Sequence, residues 1–145
     1  MRAPVAVVAS IAVALLVAAT GYAVDASTNE REPLGPGVVT VEVGIDQSAF
    51  DLGTLRVREG TLVELVVHNR DPIDHELVVG TAEVHRRHTE GDERRHPPVP
   101  GEVSVGPLDT AKTFYEFTEA GAVVYACHLP GHVAYGMQGT IEVVE

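Results

Sequence analysis

Short runs of alternating apolar and polar residues begin near residue 38 and continue to the end of the chain. Valines alternate with Thr40 and Glu42 over residues 39–43, and Leu55 and Val57 alternate with arginines. Because successive side chains of a strand point to opposite faces, this two-residue period predicts β-strands. Further strands are predicted over residues 61–69, 75–79, 110–118, 122–126 and 139–145. Turn residues separate these runs, so the pattern predicts an all-β sandwich or barrel of about seven or eight strands.

One internal segment, residues 80–102, lacks this alternation. It contains four of the ten basic residues of the chain, together with His85, His88 and His96. Residues 82–90 could form a short helix, whereas the prolines between 97 and 100 favour an extended path. We expect an exposed insertion between two strands. Its histidines leave two interpretations open, a solvated charged loop or a weak second metal site.

The first 26 residues differ in composition from the rest of the chain. Residues 3–19 are uncharged, Arg2 precedes them and small residues follow them. This layout predicts a secretory signal peptide, although about 20 apolar residues could also form an uncleaved membrane anchor. Residues 27–37 are polar and rich in Gly and Pro, which predicts a linker to a domain over 38–145. Both interpretations of residues 1–26 place that domain outside the cytoplasm.

Net charge and cysteine content narrow the class of function. The formal net charge is −11, which argues against binding to nucleic acid because phosphate is met by cationic surface. The chain has one cysteine, Cys127, although exported domains usually use cysteines in pairs as disulfides. Cys127 is therefore a buried inert thiol, half of an intermolecular disulfide or a thiolate bound to a metal.

The lone cysteine begins a loop that gathers several metal-binding side chains. In the stretch CHLPGHVAYGM, four residues separate Cys127 from His132, and four more separate His132 from Met137. Thiolate, imidazole and thioether together select copper, and two histidines and a cysteine with a weak methionine form a blue-copper site. The second histidine must come from elsewhere. His75 is the best candidate, because it follows a turn and opens an apolar strand.

These residues resemble those of the cupredoxin family, the small blue copper proteins that include plastocyanin and azurin. The spacing of His132 and Met137 is most similar to that of rusticyanin and auracyanin. The resemblance covers residues 38–145 and implies a Greek-key β-sandwich with one type 1 copper ion held by His75, Cys127, His132 and Met137.

Two neighbours of the expected ligands need separate interpretation. Glu76 stands where many cupredoxins have Asn or another small polar residue, whose side chain ties the two ligand loops together. A change at such a position can alter the metal centre. His128 follows Cys127 directly, so in an extended backbone its side chain should point away from the metal. We expect it to be exposed or to support the ligands indirectly.

The resemblance implies that the protein carries single electrons between extracytoplasmic redox partners, such as a cytochrome or a membrane oxidoreductase. The alternative is copper binding for resistance, storage or delivery, which the histidines of the insertion favour. We do not expect an enzyme, because four protein ligands leave no open position for a substrate. We expect a monomer that binds no nucleic acid and contacts the membrane only if residues 1–26 remain as an anchor.

Overall fold

The computed structural model describes residues 32–91 and 95–145. The predicted signal peptide or anchor in residues 1–26 lies outside the described residues, as does the linker from 27 to 31. Within the described ranges, no helix is both long enough and apolar enough to cross a membrane.

The described residues form two packed β-sheets. The strands are β1 (Gly37–Asp46), β2 (Ala49–Phe50), β3 (Leu55–Arg58), β4 (Thr61–Asn69), β5 (His75–Gly80), β6 (Glu102–Val105), β7 (Thr110–Phe117), β8 (Gly121–Ala126) and β9 (Gln138–Val144), with a helix α1 (Ala82–Glu90) between β5 and β6. One sheet has the order β2-β1-β4-β7, and the other has the order β3-β9-β8-β5-β6. The predicted all-β Greek-key sandwich is confirmed.

The core lies between the two sheets and is built from alternate residues of the strands. In β4 every second residue, including Val63, Leu65 and Val67, is fully buried, while the residues between them are only partly covered. Leu77 and Val79 of β5 meet them from the opposite sheet, in the same apolar cluster. Removing this apolar surface from water is the main source of the stability of the sandwich.

Strand β5 differs from β4 because both of its faces are covered, and all six of its residues are buried. It lies between β8 and β6 in its sheet, and its outer face is covered near its end by α1. A Cβ atom added to Gly80 would lie 3.2 Å from Cβ of Val84 in α1. The absence of a side chain at Gly80 therefore allows the helix to approach the strand closely.

The structure differs from the sequence prediction at the edges of the domain and of the insertion. Leu34, in the predicted linker, bridges to Val57, and β1 already begins at Gly37. Two strands were not predicted: β2 is only two residues long, and β6 begins with Glu102, the last residue assigned to the insertion. Strand pairing thus extends into segments that are too short or too polar to show an apolar alternation.

Candidate metal centre

The loop between β8 and β9 is folded back on itself by its own backbone. The N–H of Cys127 donates to the carbonyl of Met137 at 3.0 Å, and the N–H of Met137 donates to the carbonyl of His132 at 3.0 Å. Gly136 has φ 93°, in the left-handed region that glycine adopts without strain. These contacts bring the three candidate ligands of the loop to one place, at the pole of the sandwich.

The fourth candidate ligand reaches the same pole from β5. The turn before His75 is held by Asn69, whose side-chain amide donates to the carbonyls of Ile73 (2.7 Å) and Gly106 (2.8 Å). The side-chain oxygen of Asn69 also accepts the N–H of Asp71 at 2.9 Å. Because these bonds fix the start of β5, the position of His75 is set by the fold and not by a mobile loop.

The structure brings His75, Cys127 and His132 together. Their potential ligand atoms all lie within 4.8 Å of one another. Sγ of Cys127 is 3.2 Å from Nδ1 of His132, and the rings of His75 and His132 have centroids 4.9 Å apart. Met137 is fully buried in the same apolar cluster as Cys127. All four residues predicted from the sequence are thus placed at one pole, with a thiol, two imidazoles and a thioether among them.

The hydrogen bonds of His75 fit a metal ligand. Its Nε2 lies 2.9 Å from Oδ2 of Asp71, and because a carboxylate accepts, Nε2 carries the proton. Its Nδ1 is buried and has no hydrogen-bond partner among the described residues. A buried nitrogen with a free lone pair is costly unless something binds it. A metal ion bound at Nδ1 would satisfy it, and an outer carboxylate on the other ring nitrogen is the usual companion of a ligating histidine.

Asp71 is a functional residue that sequence reasoning missed, since it was read only as part of a turn. Burial opposes its ionisation, but the backbone N–H groups of Ser48 and Gln47 and the ring of His75 outweigh burial and lower its pKa. The ionised carboxylate therefore orients the His75 ring. A signal was available in the sequence, because Asp71 lies four residues before His75.

The thiol of Cys127 is protonated in the absence of a metal. Burial is the main reason that its pKa is raised to about 11, and the nearby carboxylate of Glu76 adds to this effect. Burial also lowers the pKa of His132, as does the neighbouring ring of His75. The metal-free site thus favours uncharged side chains, and a cation that binds there must displace the thiol proton.

Glu76 joins the two segments that carry the ligands. Its Oε1 accepts the backbone N–H of His128 at 2.8 Å, directly beside Cys127. The longer acidic side chain therefore makes the link between ligand loops that was expected of a small polar residue at this position.

His128 is not among the residues gathered around Cys127. Its Nε2 lies 2.8 Å from Nδ1 of His85, and its Nδ1 lies 3.2 Å from the hydroxyl of Thr89 in α1. Burial lowers its pKa to about 4, with further contributions from His85 and His88. The structure thus places His128 against the helix, as expected for a residue pointing away from the metal.

A buried thiol, two imidazoles and a thioether at the pole of a Greek-key sandwich define a type 1 copper protein, a cupredoxin. Residues 38–144 match the copper binding proteins of the plastocyanin/azurin family, and the chain belongs to this family. Copper is therefore its cofactor. The residues present fit the ion, because they supply the required donors and leave a buried nitrogen of His75 free.

Comparison with individual proteins supports the same family. The chain is 35% identical over 102 residues to the copper-resistant cuproprotein CopI of Rubrivivax gelatinosus, covering 68% of this chain and 61% of CopI. The chain thus spans about three-fifths of the length of that relative.

Among solved structures, auracyanin of Roseiflexus castenholzii superposes with a TM-score of 0.61 and 22% identity, over 73% of this chain and 97% of auracyanin. Rusticyanin of Thiobacillus ferrooxidans has a TM-score of 0.56 and 19% identity, over 76% of this chain and 79% of rusticyanin. At this identity the two structures support the fold. They are also the cupredoxins that the ligand-loop spacing indicated.

Proposed function

We propose that the protein is an extracytoplasmic copper-binding protein that contributes to copper resistance. The observation that carries this proposal is the closed site of His75, Cys127, His132 and Met137, in which three of the four side chains are fully buried. The similarity to CopI, a protein named for copper resistance, favours this role over general electron transport. The export pattern of residues 1–26 supports a location outside the cytoplasm.

The residues of this site would bind copper and shield it from other molecules. On binding copper, the thiol of Cys127 would give up its proton and act as a soft anionic ligand, while Asp71 holds His75 in the tautomer that leaves Nδ1 free. Met137 adds a thioether from within the core. A carrier built in this way keeps copper away from other thiols and amines. When bound, copper supplies a one-electron couple.

The four donors close the site to other ligands, so we propose a binding role and not an enzymatic one. An enzyme that uses a metal needs an open position for water or substrate. Here only His132 is partly exposed, whereas the other three residues are buried.

A growth assay tests the resistance role. The full chain would be produced in a Rubrivivax gelatinosus strain that lacks CopI, and growth would be measured across a copper series. We expect the wild-type chain to restore growth and Cys127→Ser to fail, with equal amounts of both proteins present. His68→Ala is the matched control, because His68 lies on β4 and bonds Glu42 and Thr110, away from the site. Restoration by Cys127→Ser would contradict the proposal.

Electron transfer is a second candidate, which the surface around His132 favours. Tyr135 is 85% exposed, and the partly exposed Leu129 and His132 adjoin it along the loop. A small apolar patch beside a redox ligand suits brief contact with a redox protein. Stopped-flow mixing of the reduced protein with an oxidised cytochrome c tests this role. Fast oxidation of the protein that Tyr135→Asp slows, with the visible spectrum unchanged, would support it. Oxidation of the protein no faster than the oxidation of free Cu(I) by the same cytochrome would contradict it.

A further inference from the structure

A second group of metal-binding side chains lies on the opposite face of β5 from the copper site. Because strand residues alternate, His75 faces the sandwich core and Glu76 faces outward. There Glu76 meets His88 of α1 and His96 of the segment that leads to β6, and the potential ligand atoms of the three lie within 4.8 Å of one another. None of these three residues belongs to the proposed copper ligands.

The ring nitrogens of His88 have separate partners. Nε2 lies 2.8 Å from Oε2 of Glu102. Burial opposes ionisation of Glu102, but bonds from His88 and Arg87 outweigh it and lower its pKa, so this carboxylate accepts. Nε2 of His88 therefore carries the proton. Its Nδ1 lies 3.5 Å from Oε2 of Glu76.

His96 has the same arrangement with its nitrogens exchanged. Nδ1 lies 3.0 Å from the carbonyl oxygen of Pro97, which can only accept, so Nδ1 carries the proton. Nε2 is buried and has no hydrogen-bond partner in the part of the chain that the structure describes. It lies 3.7 Å from the same Oε2 of Glu76. Among the described residues, two buried side-chain nitrogens lack a hydrogen bond, and the other one, Nδ1 of His75, belongs to the copper site.

Three potential metal ligands, two imidazoles and a carboxylate, thus converge without a direct hydrogen bond between Glu76 and either ring. Distances of 3.5 and 3.7 Å from Glu76 are longer than ordinary N–H···O bonds. Two atoms bound at about 2.0–2.1 Å to a tetrahedral ion lie about 3.3 Å apart, close to the distances observed. Glu76 is only 2% exposed, and a buried carboxylate requires a compensating cation or donors.

The outer partners also match those of a metal site. Ligating histidines usually donate their second ring N–H to a carboxylate or a backbone carbonyl, which fixes the tautomer. Here Glu102 and the carbonyl of Pro97 fill these roles. A cleft of about 820 Å³, lined by the three residues together with Leu129 and Pro130 of the copper loop, gives access from solvent.

We propose that Glu76, His88 and His96 form a second site for a divalent transition-metal cation, separate from the type 1 copper site. Two imidazoles and one carboxylate suit Cu(II) and Zn(II), and Cu(II) binds such donors more tightly. Water from the cleft completes the coordination. Because Oε1 of Glu76 accepts the backbone N–H of His128 beside Cys127, the side chain of Glu76 links the second site to the backbone next to a copper ligand.

Zinc binding to the copper-loaded protein tests this site. The type 1 site is filled first, and its sulfur-to-copper absorption band shows that it stays filled while Zn(II) is added in a calorimeter. We expect one equivalent of Zn(II) to bind, and His88→Ala and His96→Ala each to weaken it by more than the roughly 10–100-fold typical of an outer partner. The controls are His85→Ala, on the same helix, and His68→Ala, on β4; both should bind zinc like the wild type.

Glu76→Gln separates the two roles of this side chain. An amide oxygen still accepts the N–H of His128, so the copper band should persist, whereas loss of the carboxylate should weaken zinc binding. A second equivalent of Cu(II) should add an electron paramagnetic resonance signal with nitrogen couplings and no new thiolate absorption, because the site has no sulfur.

Two results would overturn the proposal. One is no zinc binding by the wild type while the copper band is intact. The other is zinc binding that His88→Ala and His96→Ala leave unchanged. Loss of the copper band from the wild type would count against the first site and not against this one, so the two failures are distinguishable.

Discussion

The raised pKa of Cys127 makes copper binding strongly dependent on pH. With a pKa of about 11, only about one thiol in a hundred is ionised at pH 9 in the metal-free protein. An ordinary cysteine, with a pKa of about 8.5, would be about three-quarters ionised at the same pH. Because copper replaces the thiol proton, the apparent affinity should rise about tenfold per pH unit from pH 7.5 to 10, each step being about 1.4 kcal/mol.

The ultraviolet absorbance of the thiolate measures this ionisation directly. The metal-free protein would be titrated from pH 7 to 11, and the titration of Cys127→Ser would be subtracted to remove the contribution of tyrosine. We expect the difference to rise with a midpoint well above 9.5. Copper affinity, measured against a chelator of known pH dependence, should continue to rise through pH 9. A thiolate midpoint near 8.5, with an affinity that levels off there, would refute the reasoning.

The raised pKa of Cys127 also makes the stability of the folded chain depend on pH. Because the pKa is higher in the folded chain than its ordinary value of 9.0 in the unfolded chain, the stabilisation is complete below about pH 9 and is lost as pH rises through about 11. The total is about 3 kcal/mol, from a shift of about two units. The metal-free wild type should lose this much more stability than Cys127→Ser over that range, in urea unfolding at fixed pH.

Three further predictions concern single side chains. Met137→Leu should keep copper bound, because the swap conserves volume in the core, and should raise the reduction potential, because the thioether donor is lost; an unchanged potential in voltammetry would exclude Met137 as a ligand. Asp71→Ala should weaken copper binding by about 10–100-fold through loss of the bond that orients His75; equal affinity in chelator competition would contradict this. Leu65→Ala, in the core, should lower the free energy of unfolding by about 2–5 kcal/mol, whereas the exposed Leu108→Ala should change it by less than about 0.5 kcal/mol; similar losses in urea would be inconsistent with the core described.

The copper loop and most strands could be predicted because the residues that determine each of them lie close together in the sequence. The alternation of residues in β4 indicates which side chains face the core, and every second residue of β4 is buried in the structure. Cys127, His132 and Met137 lie within eleven residues, so their spacing alone limits how far apart they can be. His75 was predictable because it opens a buried strand at a turn.

The partners of these residues could not be predicted in the same way. Asp71 acts on His75 through a bond that depends on the shape of the turn, which Asn69 holds. Glu76, His88 and His96 come from a strand, a helix and an extended segment, and only the packing of α1 against β5 brings them together. The charged composition of residues 80–102 predicted solvent exposure, which holds for most of the described residues there, but it did not show that His88 and His96 turn inward toward Glu76.

His75 and Glu76 are adjacent in β5 and face opposite sides of the sheet, which limits changes in the length of the turn that precedes the strand. A substitution at either position alters one face of β5, but one residue inserted into the turn at 70–74 and taken up by the strand would shift the register of the strand by one. Every side chain of β5 would then exchange faces. The imidazole would leave the pole, the carboxylate would turn into the apolar core, and the bond from Glu76 to the backbone of His128 would be lost. The length of this turn is therefore under a stricter constraint than the identity of most residues within it, and homologous chains should tolerate replacements there, except at Asp71, but not insertions or deletions.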